Sequence, residues 1–344
     1  MNKRPFFSIP IATYNRAEDV EFAVKRILAQ SFKDFEVIVC DDGSTDETQK
    51  RIMSLKDKRI RYYRNKKNLG AVKNIGKVLE YVRGEYVFLH GDDDYLLYDD
   101  VLQKTYDLIK KYNYGLIRIN YVYQTFDKKD IFDYVRNKFI TKDLAFKAHA
   151  SPEEAVDYID KIDLHFITGI VFKNIYPKRI SIIDSEFIPW FEICFRSLEA
   201  QGGFFLYSHS IVASWSHQDK HPAHFVVNGK LSWEKVYEVI RKVAGEKCYR
   251  KTLNRQVAIN VNFLAIIKYN SNNSNLLKYA KRLRELNPSY TWSMRYWATL
   301  IAAYCTPKFV LKLVRDIYIQ NVKGRGRVKE YSKTLKQVYT VRGF

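Results

Sequence analysis

Over its first hundred residues the chain alternates short apolar runs with helical stripes, and that alternation restricts the fold more than any other feature. Phe6–Ala12 reads as a strand, and Glu18–Gln30 puts Val20, Ala23, Val24, Ile27 and Leu28 on one helical face. Phe35–Cys40 reads as a second strand closed by Asp41-Asp42-Gly43-Ser44, and helix signals resume at Asp46, whose side chain can cap a first turn. Arg59–Tyr63, Gly70–Tyr81 and Glu85–Leu89 continue as strand, helix, strand, and Gly115–Tyr123 adds another strand. Elements in this order build an α/β fold, a mostly parallel sheet with helices on both faces. A mixed region to about residue 230 completes a first domain.

In such sheets ligands bind beyond the carboxyl ends of the strands. The polar residues that follow the strands fall there: Thr13-Tyr14-Asn15 after the first, Asp41-Asp42 after the second, Asp92-Asp93-Asp94 after the fourth. Three successive carboxylates at a strand end repel one another and favour a bound cation. Hard oxygen ligands of this kind suit Mg2+ or Mn2+, which keep positions open for phosphate oxygens and water.

From residue 231 the character changes. Residues 231–344 hold 23 Lys/Arg against 6 Asp/Glu, and residues 1–230 hold 35 against 32, so nearly all of the net charge of +20 lies in the second part. Val236–Val243, Val257–Tyr269 and Leu276–Leu286 read as amphipathic helices of a C-terminal extension, 231–344. The apolar stretch Trp292–Tyr304 and the segment from Pro307 to Arg315 are both too short to span a bilayer, which takes about 20 apolar residues. Basic side chains beside Trp, Tyr, Phe and Leu suit a helix lying on an anionic membrane surface. Forty-seven per cent hydrophobic and 15% aromatic content excludes disorder. Four scattered cysteines without CxxC spacing exclude a disulfide framework and a cysteine zinc site. With no signal-peptide pattern at the start, a cytoplasmic protein, peripheral on the inner face of the membrane, is expected.

The motifs resemble those of family 2 glycosyltransferases with the GT-A (Rossmann-like) fold. Ser8–Arg16 and Val37–Asp46 look like the opening of that family, and Asn68-Leu69-Gly70 with Asn74, then Gly84–Leu89 leading to the Asp run, continue the likeness in order. It covers residues 6 to about 125 and fades toward 220. The resemblance implies an inverting transferase that takes a sugar from a nucleoside-diphosphate donor, UDP-sugar favoured, with Mn2+ or Mg2+. It places Thr13 and Asn15 around the base, Asp41 or Asp42 at the base imide, Asp92 at the ribose and Asp94 at the metal. Arg16, Asn68, Gly70, Asn74 and Asp93 complete the donor-binding set. Because His90-Gly91-Asp92-Asp93-Asp94 permits two registers, Asp93 is an alternative metal ligand.

For the carboxylate that deprotonates the acceptor hydroxyl, the family pattern points to Glu192 or Asp184, then Glu186. The expected Glu-Asp pair is missing, and Trp190 stands nearest the usual Asp. His217 falls where related enzymes carry a histidine near the diphosphate or the metal. The acceptor expected is a lipid-linked glycan of surface polysaccharide synthesis. The alternative reading is a nucleic-acid-binding protein that uses the basic aromatic extension, but no RRM, KH or helix-turn-helix signature supports it, and no nucleic acid partner is expected. A nucleotidyltransferase is disfavoured, because Thr13-Tyr14-Asn15-Arg16 lacks the glycine of a phosphate loop.

Overall fold

The computed structural model describes residues 4–127, 130–135, 143–146, 166–175, 190, 192–194, 196–197, 204–216, 226–227, 230–231 and 234–318. They divide into two compact units that part between His217 and Gln218.

The first unit begins β1 (Phe7–Thr13), α1 (Ala17–Leu28), β2 (Phe35–Asp41), α2 (Thr48–Ser54), β3 (Ile60–Arg64), α3 (Ala71–Glu80) and β4 (Tyr86–Phe88). It continues with β5 (Tyr95–Leu96), α4 (Val101–Tyr112), β6 (Leu116–Asp127), β7 (Asp130–Val135), β8 (Leu144–Phe146), β9 (Ile170–Lys173) and β10 (Phe204–Ser216). The strands share one sheet in the order β3-β2-β1-β4-β9-β6-β10-β5, with β7 beside β6 and β8 beside β10. From β3 to β4 every pairing is parallel, as expected from the sequence. Beyond β4 the sheet is mixed: β9 lies antiparallel between β4 and β6, while β10 returns parallel to β6.

All seven residues of β2 are buried, which is why this strand reads as a continuous apolar run: a central parallel strand is covered on both faces. Of the helical stripe read for α1, Val20, Ala23, Val24 and Ile27 are fully buried. Each large one of these contributes about 1.5–3 kcal/mol by leaving water. One polar member of β2, Glu36, is compensated. It accepts from Ser8 Oγ at 2.6 Å and from Arg83 N at 3.0 Å, and pairs with Arg61 at 2.9 Å. Gly84 is required in this corner, since a Cβ there would stand 2.4 Å from Ser8 N.

The helix expected from Asp46 starts slightly later, and Asp46 serves two helices. Its Oδ1 accepts from Thr48 N at 3.0 Å, at the start of α2, and its Oδ2 accepts from Ala17 N at 3.0 Å, at the start of α1. Burial works against its charge, but the bonds from Thr48 and Ala17 outweigh it and hold the carboxyl below its ordinary range.

The second unit holds a short hairpin, β11 (Val226–Val227) with β12 (Lys230–Leu231), and then helices: α5 (Glu234–Asn262), α6 (Leu264–Asn270), α7 (Asn273–Leu286), α8 (Met294–Cys305) and α9 (Lys308–Tyr318). α5 is broken at Gly245, which takes φ 80°. The single helix expected over Val257–Tyr269 is divided at Phe263 between α5 and α6. Asn272 and Ser293 cap α7 and α8 with their side chains, accepting from Asn275 N and Tyr296 N.

Candidate active site

The chain runs outward from β1 through β2 to β3, then returns to the other side of β1 as β4. The loops after β1 and β4 therefore leave the sheet at the point where strand order reverses, where open α/β sheets bind ligands. Four loops meet at this edge: residues 13–16, 41–46, 65–70 and 90–94.

Side chains lace the first two together. Asp42 N donates to Thr13 O at 2.9 Å, Asn15 N donates to Ser44 Oγ at 2.9 Å, and Thr45 N donates to Asn15 Oδ1 at 2.7 Å. Asn15 takes φ 51° to do so, in the left-handed region that Asn tolerates better than most residues. Thr13 is buried at the strand end, and Asn15 is exposed above it.

Asp41 and Asp42 are both buried, and both shape loops. Asp41 accepts from Ser44 N at 2.8 Å and from the Tyr62 hydroxyl. Burial and the Asp41 charge together raise the Tyr62 phenol, which therefore stays a donor. Asp42 accepts from Asn65 Nδ2 at 2.8 Å, from Leu69 N and from Gly70 N, both at 2.9 Å. Asn74 donates to Cys40 O at 2.9 Å and accepts from Asn65 at 2.9 Å. Each of these three side chains thus braces the loops from beneath, so the direct base contact expected of Asp41 or Asp42 meets carboxylates already engaged by internal donors. Asn68 and Gly70 remain exposed. Gly70 takes φ +87° at the start of α3, a conformation glycine adopts without strain.

The acidic run splits in two. Arg16 Nη1 reaches both Asp92 Oδ1, at 3.2 Å, and Asp93 Oδ2. Asp94 is 3% exposed and accepts from Thr168 Oγ1, while the same hydroxyl accepts from Gly91 N at 2.7 Å. The Asp94 carboxylate is thus engaged by Thr168 inside the fold, while Asp92 and Asp93 form an outer pair joined by Arg16. Burial, then the neighbouring Asp93 charge, push Asp92 up to about 7 against the pull of Arg16. A pair of carboxylates that resists joint ionisation fits a divalent cation. Two carboxylates with room for phosphate oxygens and water form a donor set such as Mg2+ sites commonly have; among the described residues no group of three His, Cys, Asp or Glu side chains gathers.

Two residues that sequence reasoning did not single out belong to this edge. Asn65, directly after β3, ties Asp42 to Asn74, and Lys77 Nζ donates to its Oδ1 at 2.7 Å. His90 is 1% exposed and its Nδ1 lies 2.6 Å from Gly91 O. That contact places the proton on Nδ1, and among the described residues Nε2 is buried without a partner. Burial pushes the imidazole down to about 4, so it is neutral at pH 7. The available signal was position: both are polar residues ending runs that enter the sheet.

Of the base candidates, Glu192 is half-buried and held by Arg196 Nη2 at 2.6 Å, an ordinary pair one helical turn apart. Trp190 beside it is buried in the core. Asp184, Glu186 and His217 lie outside the described residues.

Comparison with known proteins bears on the family and the fold. Residues 8–149 match the family model "Glycosyl transferase family 2". A Campylobacter jejuni protein named GalNAc(5)-diNAcBac-PP-undecaprenol beta-1,3-glucosyltransferase is 41% identical over 98 residues, 27% of this chain and 31% of that protein. The Escherichia coli protein WfaP, named as a UDP-Glc:alpha-D-GlcNAc-diphosphoundecaprenol beta-1,3-glucosyltransferase, is 38% identical over 88 residues, 26% of this chain and 35% of that protein. The match thus spans about a third of the length of each relative. The crystal structure of S. aureus TarS 1-349 in complex with UDP-GlcNAc superposes with a TM-score of 0.55 at 16% identity, over 90% of this chain and 91% of that one. Residues 8–149 thus match glycosyl transferase family 2, and the first unit has the GT-A fold.

Proposed function

We propose that the chain is an inverting glycosyltransferase that draws a sugar from a nucleoside-diphosphate donor, UDP-linked by preference, and passes it to a hydroxyl of a lipid-linked glycan in surface polysaccharide synthesis. The observation that carries this reading is the Arg16–Asp92–Asp93 cluster at the strand-order reversal of a family 2 domain. The names of the two bacterial relatives, both undecaprenyl-diphosphate-linked glucosyltransferases, support the acceptor class. The UDP-GlcNAc bound by TarS supports the donor class. These matches are to transferases, and none of them favours the nucleic-acid reading.

In this proposal residues 1–230 form the catalytic part and 231–344 a basic extension that meets an anionic membrane surface, on the cytoplasmic side. Thr13, Asn15, Asn68 and Gly70 border the nucleoside, and Asp41, Asp42 and Asn74 hold those loops in place. Asp92 and Asp93 would hold Mn2+ or Mg2+, which when bound supplies positive charge against the diphosphate leaving group. Arg16, placed beside both carboxylates, would turn part of its charge to the phosphate oxygens. Glu192, Asp184 or Glu186 would accept the proton of the attacking hydroxyl, and His217 would face the diphosphate.

The test is turnover by the full chain with manganese, a panel of UDP-, GDP- and dTDP-sugars and an undecaprenyl-diphosphate glycan. The expected result is UDP release coupled to a product of inverted anomeric configuration. Release of no nucleotide from any donor, or a product of retained configuration, would overturn the proposal.

A further inference from the structure

The second unit leaves an apolar edge uncovered. On α8, Tyr296, Leu300 and Ala303 are buried while Trp297, Ile301 and Tyr304 on the other stripe are exposed. On α9, Phe309 and Leu313, one turn apart, are 73% and 59% exposed, and Val314 beside them is 59% exposed. The turn of 3-10 helix before α8, Pro288–Trp292, ends at Trp292, 89% exposed, with Met294 next at 88%. Large apolar side chains clustered in water over so short a stretch mark an interaction surface rather than a solvated one.

Three features decide what covers it. The first is charge: from Glu285 to Asp316 the sequence contains no acidic residue, and Arg295, Lys308, Lys312 and Arg315 lie between them. Arg295, Lys308 and Lys312 are exposed. The second is composition, since Trp and Tyr are the residues whose rings favour the boundary between lipid and water. The third is geometry. α8 has 12 residues, about 18 Å of helix, against a hydrocarbon layer of about 30 Å. α8 and α9 bend by 111° at the junction between them. Pro307 causes the bend, because it disfavours helical backbone at Thr306, which is extended at φ −73°, ψ 124°. No single helix among the described residues is long and apolar enough to cross a bilayer, and two short helices bent at such an angle suit the interface.

The geometry points to residues 292–314 as an interfacial binding element that seats the second unit on the surface of an anionic bilayer. It deepens the membrane partner proposed above and rests on that reading. Trp292, Phe309 and Leu313 enter the headgroup boundary, and Lys308 and Lys312 meet the lipid phosphates.

The experiment is flotation of the full chain with vesicles of phosphatidylethanolamine containing about one-third phosphatidylglycerol, beside vesicles of phosphatidylcholine alone. The chain should float with the anionic vesicles and release at high salt. The triple variant Trp292→Ser, Phe309→Ser, Leu313→Ser should bind on the order of tenfold more weakly, and Lys312→Gln should weaken binding and flatten its salt dependence; Lys308 is left in place because its Nζ also donates to Ser271 O. Both variants should keep the wild-type melting temperature and the wild-type rate toward a water-soluble acceptor. Wild-type chain that ignores anionic vesicles, or a folded triple variant that floats as well as wild type, overturns the proposal. So does a triple variant that turns a solution dimer into a monomer while no form binds vesicles, because the edge then belongs to a second copy. A chain that floats as described but turns over no nucleotide sugar overturns the transferase reading and leaves the lipid surface standing.

Discussion

Arg16 Nη1 stands 3.2 Å from Asp92 Oδ1, across 76 residues of sequence. The two side chains meet because β1 and β4 are neighbours at the reversal of strand order, so that the loops following them open side by side. Burial works against the Arg16 charge, yet Asp92 and Asp93 outweigh it and raise its pKa above an already high value. In the proposed reading the guanidinium would compete with a divalent cation for the same two carboxylates.

Removal of that competitor has an expected sign. Arg16→Ala should bind Mn2+ in the absence of nucleotide roughly tenfold more tightly, because two neighbouring carboxylates lose the guanidinium that pairs with both. The same variant should bind UDP more weakly. Electron paramagnetic resonance of free Mn2+ measures the first effect and calorimetry the second; weaker Mn2+ binding by the variant would contradict the shared-site geometry.

The split of the acidic run separates catalysis from stability. Asp92→Asn and Asp93→Asn should each lower transfer about a hundredfold, with little loss of fold. Asp94→Asn should instead cost about 1–3 kcal/mol of stability, through its weakened bond with buried Thr168, while the protein that remains folded retains most of its rate. Rates with saturating manganese, set beside denaturation midpoints, distinguish the two groups.

Gly84 tests the corner that joins β1 to β4. A Cβ on it would meet Ser8 N at 2.4 Å and Phe7 C at 2.7 Å, both backbone atoms. Gly84→Ala should therefore destabilise the fold by about 3 kcal/mol. Urea unfolding should show a lower midpoint with an unchanged slope.

His90 predicts an acid limit to stability. The unfolded chain takes up a proton below about pH 6.5, whereas the buried imidazole does so only near pH 4. Its contribution is complete above pH 6.5 and is lost as the pH falls from there toward 4, by about 3 kcal/mol in full. His90→Gln should flatten the melting-temperature profile over that range; a variant with the wild-type slope would assign the acid sensitivity elsewhere.

Much of the first unit was legible in the sequence. The parallel strands β1 to β4 and their helices could be read because their periods are local: Val20, Ala23, Val24 and Ile27 recur at helical spacing whatever they pack against. The antiparallel insertion of β9 was not legible, because Ile170–Lys173 pairs with strands more than 50 residues away and its run of four carries no sign of direction.

The sequence alone set which residue types stand at the carboxyl edge of the sheet, since Thr13 and Asp41 close apolar runs and Asp92 follows the fourth after only His90 and Gly91. It left open which of Asp92, Asp93 and Asp94 faces a ligand, because adjacent residues in a loop have no fixed period to assign them sides. The contacts that tell them apart are tertiary: Thr168, 74 residues further on, donates to Asp94, while Arg16, from the loop after β1, reaches Asp92 and Asp93. The same holds in the second unit. Composition showed that residues 292–314 are apolar and basic, but which of them lie open to solvent followed from the bend at Pro307 and from the burial of Tyr296, Leu300 and Ala303 on the opposite face of α8.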